Sequence, residues 1–249
     1  MPTYRLGNGD QTFRSIDTPD WDIYGSRVFG GNGDDDISVY GFDLVLRGGN
    51  GNDSVAAAGS GNLLEGGNGD DRVEMNGRDN VLRGGNGDDF LLSTGGGGTF
   101  EVGAGNTLTG GLGDDTFAPI GTKDLVVAND AGDGAVSGGD VVEGVFDVIT
   151  DYRAGDVLQT GATTRIATVG FDPRPIYDHV TTPGHAHLAI GGGEYAVFHG
   201  DLTAPGRFKV ADNGDDLLVI WDGGPFDDRI FQSGVVLDGF SDADRLWVA

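Results

Sequence analysis

Apolar residues recur on a nine-residue beat through the first half of the chain: Val28, Ile37, Leu46, Val55, Leu64, Val73, Leu82, Leu91 and Phe100. Each sits in a short extended x-U-x stretch (U a large apolar residue), where successive side chains point to opposite faces. The apolar side chain therefore turns inward and its neighbours face water. Two beats make one full coil. Ile37, Val55, Val73 and Leu91 then form one inward column, and Val28, Leu46, Leu64, Leu82 and Phe100 the facing one. One nine-residue unit cannot bury its single apolar side chain, but stacked units can. The pattern predicts an all-β chain whose segment 28–120 is a flattened parallel β-roll, a solenoid of two thin sheets back to back.

The beat stops near residue 121. Strand-like runs follow at Leu125–Ala128, Val141–Thr150, His187–Ile190, Tyr195–Phe198, Leu217–Trp221 and Gly234–Asp238, separated by Gly, Asp and Pro turns. That alternation predicts a mostly antiparallel β capping region over 121–249. No long amphipathic helix is present; SDADRLW (241–247) could form one turn. Residues 1–27 hold one degenerate phrase, LGNGDQTF (6–13), with Phe13 at the apolar position. They are expected to form an irregular first coil, with Trp21 and Tyr24 as an apolar lid.

Around the beat lies a repeated phrase. GGNGDDDIS, GGNGNDSVA, GGNGDDRVE and GGNGDDFLL begin at Gly30, Gly48, Gly66 and Gly84, eighteen residues apart. A fifth, GGLGDDTFA, begins at Gly110, twenty-six residues after Gly84. All follow G-G-x-G-x-D-x-U-x, a known repeat signature. The glycines are Gly30, Gly31 and Gly33; Gly48, Gly49 and Gly51; Gly66, Gly67 and Gly69; Gly84, Gly85 and Gly87; Gly110, Gly111 and Gly113. A loop that reverses within six residues needs positive φ, which glycine adopts freely. Asp35, Asp53, Asp71, Asp89 and Asp115 hold the sixth position. Stacked loops would bring these carboxylates together, and they would repel. Ca²⁺ takes six to eight hard oxygens, carboxylate or carbonyl, whereas Mg²⁺ demands a tighter octahedron. Several Ca²⁺ ions between successive loops would resolve the repulsion.

The ladder is expected on one edge only. The intervening loops, VYGFDL (39–44), AAGSGN (57–62) and MNGRDN (75–80), lack the double glycine and carry Leu44, Asn62 and Asn80 at the sixth position. The irregular spacing before Gly110 leaves the edge of the fifth loop open.

Composition sharpens the reading. The net charge is −25, and the first 120 residues hold 19 acidic and 7 basic side chains. Such a chain repels nucleic acid and anionic membrane surfaces. There are no cysteines, so bound calcium could take the place that disulfides hold in many secreted proteins. The start, MPTYRLGNGDQTFR, has no apolar core of a signal peptide, and no run approaches the ~20 apolar residues of a membrane span.

These phrases resemble those of the repeats-in-toxin family, hemolysin-type calcium-binding nonapeptide-repeat proteins that bacteria export by type I secretion. The match covers roughly residues 25–120. GVFDVITDYRAGDVL (144–158) looks like the D-x-I-x-D-F-x-x-G-D-x-L stretch that often follows the roll. The tail 211–249 looks like a strand-rich cap with an uncleaved export signal. The resemblance implies a secreted, extracellular protein that stays unfolded where calcium is scarce. It would fold outside the cell, on binding Ca²⁺, into a structural, adhesive or surface-interaction module.

Two other function classes stay open. His179, His185, His187 and His199 fall close together with Glu194. An H-x-H pair on a strand points both rings to one face, a geometry suited to Zn²⁺ or Fe²⁺ in an enzyme. It is similar to the cupin motif, with a longer spacing to Glu194. No H-E-x-x-H, G-x-S-x-G or thiol nucleophile is present, so the leading expectation is a protein without catalysis. The third class is a polysaccharide-binding module of a carbohydrate-active enzyme, with Arg47, Arg72 and Arg83 meeting an anionic polymer. Asp222 with Asp227 and Asp228 could form one further calcium loop, although a solvated turn explains them as well.

Overall fold

The computed structural model describes residues 1–14, 24–95, 103–120, 125–128, 136, 138–162, 164–165, 185–187, 190, 193–222 and 232–249. Among them there are strands and no helix. In chain order the strands are β1 (Thr3–Arg5), β2 (Thr12–Arg14), β3 (Arg27–Asn32), β4 (Asp36–Tyr40), β5 (Val45–Asn50) and β6 (Ser54–Ala58). Then come β7 (Leu63–Asn68), β8 (Arg72–Asn76), β9 (Val81–Asn86), β10 (Phe90–Thr94), β11 (Gly103–Leu112) and β12 (Thr116–Ile120). The later ones are β13 (Val126–Ala128), β14 (Val141–Glu143), β15 (Val145–Ile149), β16 (Val157–Leu158) and β17 (Thr164–Arg165). The last are β18 (His185–His187), β19 (Glu194–Ala204), β20 (Arg207–Val210), β21 (Asp216–Asp222) and β22 (Gln232–Leu237).

The chain divides into two compact units. The first comprises 1–95, 106–119 and 151–159; the second comprises 96–105, 120–150 and 160–249. The expected boundaries at 27 and 120 are thus crossed twice: residues 1–14 belong with the repeats, and so does 151–159.

In the first unit the chain alternates between two parallel sheets. One runs β1-β3-β5-β7-β9-β11, the other β2-β4-β6-β8-β10-β12-β16. The nine-residue beat explains the register. Ile37 lies opposite Val55, Val55 opposite Val73, and Val73 opposite Leu91. Val28, Leu46, Leu64 and Leu82 align in the other sheet. All eight are completely buried. Phe100 lies outside the described residues; Leu108 takes the place beside Leu82. At the first circuit, Tyr4 pairs with Val28 and Phe13 with Ile37, and the two aromatic rings approach to 4.9 Å. These rings cover the position assigned to a lid. Trp21 lies outside the described residues, and Tyr24 is exposed and stacks on Phe42.

The second unit is mixed. Its strands follow the order β15-β22-β21-β19-β20-β14-β13-β18. Most pairs are antiparallel, but β15–β22 and β17–β19 are parallel. The central strand β21 buries Leu217, Leu218, Val219, Ile220 and Trp221 on both faces, which is why LLVIW is continuously apolar. Phe146, Phe198, Phe208, Ile220 and Val236 form the middle of the core. No helix among the described residues is long and apolar enough to cross a membrane.

Candidate metal centre

The turns that leave β3, β5, β7, β9 and β11 carry the five repeated phrases, so all five lie on one edge. Gly111 pairs with Gly85, which settles the edge of the fifth loop. The insertion falls between β10, still in register at Thr94, and Asn106. Twenty-six residues separate Asn80 from Asn106, where eighteen is the rule. The register resumes at Asn106 after eight more residues than the period requires.

The sixth-position aspartates form a continuous ladder. Asp35, Asp53, Asp71, Asp89 and Asp115 are each 1–3% exposed. Each Oδ1 accepts a bond from the backbone N–H of the corresponding residue one circuit earlier. Asp35 donates to Asp53 (2.7 Å), Asp53 to Asp71 (2.7 Å), Asp71 to Asp89 (2.8 Å) and Asp89 to Asp115 (3.0 Å). The ladder starts one circuit earlier than the first full phrase, where Gln11 donates to Asp35. It ends one circuit later, where Asp115 donates to Asp156 at 3.0 Å. Asp156 lies outside the repeated phrases and extends the ladder by one circuit. Its signal is the same D-x-U spacing, Asp156-Val157-Leu158, with Leu158 opposite Phe117.

The other carboxylate oxygen defines the chemistry. Oδ2 of Asp35, Asp53, Asp71, Asp89 and Asp115 is buried with no hydrogen-bond partner. An ionised carboxylate buried without a counter-charge costs several kcal/mol. Burial first, then repulsion from neighbouring aspartates, pushes Asp71 and Asp89 up to about 7 and Asp115 up to about 6, against the backbone N–H bonds that favour the anion. Asp35, Asp53 and Asp156 are raised by burial as well.

The opposite edge supplies an internal control. There Asn62, Asn80 and Asn106 replace the aspartates and are equally buried. Oδ1 of Asn62 accepts from Leu44 N–H, that of Asn80 from Asn62, and that of Asn106 from Asn80. The amide Nδ2 donates onward, to the carbonyls of Gly41 (3.2 Å), Gly59 (3.2 Å) and Gly77 (2.7 Å) respectively. Where asparagine has a donor, aspartate has a second acceptor. The amide edge closes by hydrogen bonds alone. The carboxylate edge leaves one buried acceptor per residue without a donor, which a proton or a cation would satisfy.

The glycines complete the loops for two different reasons. The second and fourth of each phrase have positive φ, such as Gly67 at 135° and Gly69 at 115°. The first does not. A Cβ on Gly66 would collide with Asp71 Oδ2, so this glycine makes room for the carboxylate.

Two outer ladders run beside the buried one. Nδ2 of Asn32, Asn50, Asn68 and Asn86 donates to the asparagine one circuit earlier. At the fifth position, Asp34, Asp70, Asp88 and Asp114 place exposed carboxylates alongside.

A cation here would be held by one carboxylate from each of two neighbouring loops, with loop carbonyls supplying the rest. That donor set is all hard oxygen, which suits Ca²⁺. Among the described residues no three His, Cys, Asp or Glu side chains converge on one point, so the carbonyls are indispensable to the fit.

The structure does not bring the histidines together. His179 lies outside the described residues. His185 and His187 are on β18, and His199 is on β19, with β20, β14 and β13 between them in the sheet. Glu194 and His199 lie five residues apart on one regular strand and so face opposite sides. The arginines considered for a polysaccharide are engaged by carboxylates. Arg47 and Arg83 both pair with Glu65, and Arg72 pairs with Glu74. Asp227 and Asp228 lie outside the described residues; Asp222 pairs with Gln232 at the end of β21.

No protein-family model matches this chain, and no curated protein matches it.

Proposed function

We propose that the first unit is a calcium-dependent β-roll in which Ca²⁺ ions between successive loops drive folding. The observation that carries this is the row of buried Oδ2 atoms without a hydrogen bond, one per loop, beside an asparagine row with no such defect. Five phrases enclose four intervals, 35/53, 53/71, 71/89 and 89/115. A ligand that binds only the folded state at 10 times its Kd stabilises it by about 1.4 kcal/mol. Four such sites are worth about 6 kcal/mol, comparable with the whole net stability of a typical domain, about 5–15 kcal/mol. Calcium would then decide whether the unit is folded at all.

Extracellular modules bind calcium near 10⁻⁴–10⁻³ M. An acidic chain that folds at such levels suits a secreted structural, adhesive or surface-interaction protein. It also suits passage through a type I secretion machinery before folding.

The two edges provide the test. Asp71→Asn removes the charge and adds a donor, as on the opposite edge. In chelator it is expected to stabilise the chain by about 1–3 kcal/mol, the cost of a buried unsatisfied group. In calcium it should bind fewer ions than the wild type. Asn80→Ala should lose stability in calcium and keep the wild-type ion count. Thermal unfolding with equilibrium dialysis reads both; equal responses of the two variants would overturn the assignment.

A further inference from the structure

At one point the ladder meets a positive side chain of the chain itself. The Arg153 guanidinium Nη2 lies 3.6 Å from Asp115 Oδ2, and Nε lies 4.0 Å from Asp156 Oδ1. Nη2 also donates to the carbonyl of Gly113, the fourth glycine of the fifth loop. Arg153 therefore touches the carboxylates on both sides of the 115/156 interval and a loop carbonyl between them. Those are the same kinds of oxygen that a bridging metal would gather in the earlier intervals. No other Lys or Arg among the described residues comes within ion-pair distance of a ladder aspartate.

The arginine is held in place. Its backbone N–H donates to Asp156 Oδ2 (2.9 Å), and Asp156 N–H returns to the Arg153 carbonyl (3.1 Å). The Tyr152 hydroxyl closes the same turn by donating to the Asp156 carbonyl (2.9 Å). Asp151 anchors the segment from the other side, accepting from the N–H groups of Gly110 and Gly111 at 2.9 Å each. A guanidinium has no acceptor, stays charged and matches carboxylate geometry.

We propose that Arg153 is a resident cation that fills the last interval of the ladder and excludes calcium from it. The ladder thus has two kinds of interval: open ones that take a dissociable ion, and a closing one neutralised by the fold. The inference rests on the calcium reading and adds a specificity-determining residue to it.

Calcium stoichiometry of the full chain tests this, measured by equilibrium dialysis and isothermal titration. Arg153→Gln is expected to bind one more Ca²⁺ per chain than the wild type, and Arg153→Lys the same number. An unchanged count in a folded Arg153→Gln chain would overturn the proposal. Should that variant not fold, Asp156→Asn decides: a wild-type count supports a metal-free last interval, and the loss of one ion refutes it. A wild-type chain that binds no calcium overturns the calcium reading and this inference together. A wild type that binds calcium, with no gain in Arg153→Gln, overturns the inference alone.

Discussion

Replacing Gly67 by alanine is expected to destabilise the calcium-loaded parallel unit by about 2–6 kcal/mol. Two effects add. The backbone at Gly67 has φ 135°, a region that side chains rarely enter, and holding a residue there costs about 1–3 kcal/mol. The new Cβ would also fall onto the backbone carbonyl oxygen of Gly49 in the neighbouring strand. That oxygen belongs to the sheet and cannot swing aside as a side chain could, so the strands must part. Overpacking of this kind costs about a further 1–3 kcal/mol. Gly7→Ala is the control, because nothing lies within 4 Å of its Cβ position. Urea unfolding of the two variants should separate them clearly. A Gly67→Ala chain as stable as the wild type would contradict the register.

In chelator, stability is expected to fall as pH rises from about 4 to about 7. Asp71 and Asp89 have folded-state values near 7, well above the 3.8 of a free carboxyl, chiefly because they are buried. The folded state therefore holds protons that the unfolded state has released. A raised carboxyl contributes its stability below the unfolded value and loses it as pH passes the folded one. Protons and calcium then compete for the same oxygens. Saturating Ca²⁺ should flatten the profile or reverse it, because the bound ion favours the ionised form. Melting temperatures across that range, in chelator and in calcium, read the difference. Parallel profiles would show that the ladder carboxylates hold no ion.

The sequence carried much of this architecture in its nine-residue beat, since Ile37, Val55, Val73 and Leu91 stand where the period places them. It carried less where the period breaks. Asp156 follows Asp115 by 41 residues, so only the local D-x-U spacing marks it. Arg153 has no signal of its own, because its role comes from the turn that folds it back over Asp115. Asn62 and Asn80 were legible as departures from the aspartate column, but their donation to glycine carbonyls depends on geometry. The first glycine of each phrase reads in the sequence as a loop residue; its reason is the carboxylate packed against it. The histidines show the reverse failure, since closeness along the chain did not become closeness across β18 and β19. Strand directions in the second unit followed alternation of turns, which cannot distinguish the parallel β15–β22 pair.

The most direct measurement is far-UV circular dichroism of the chain at neutral pH in chelator, in millimolar Ca²⁺ and in millimolar Mg²⁺. The expected result is a largely unordered spectrum in chelator and in Mg²⁺, with β-structure appearing only in Ca²⁺. An identical β spectrum with equal thermal stability in all three would contradict the claim that ions between the loops hold the buried carboxylates together.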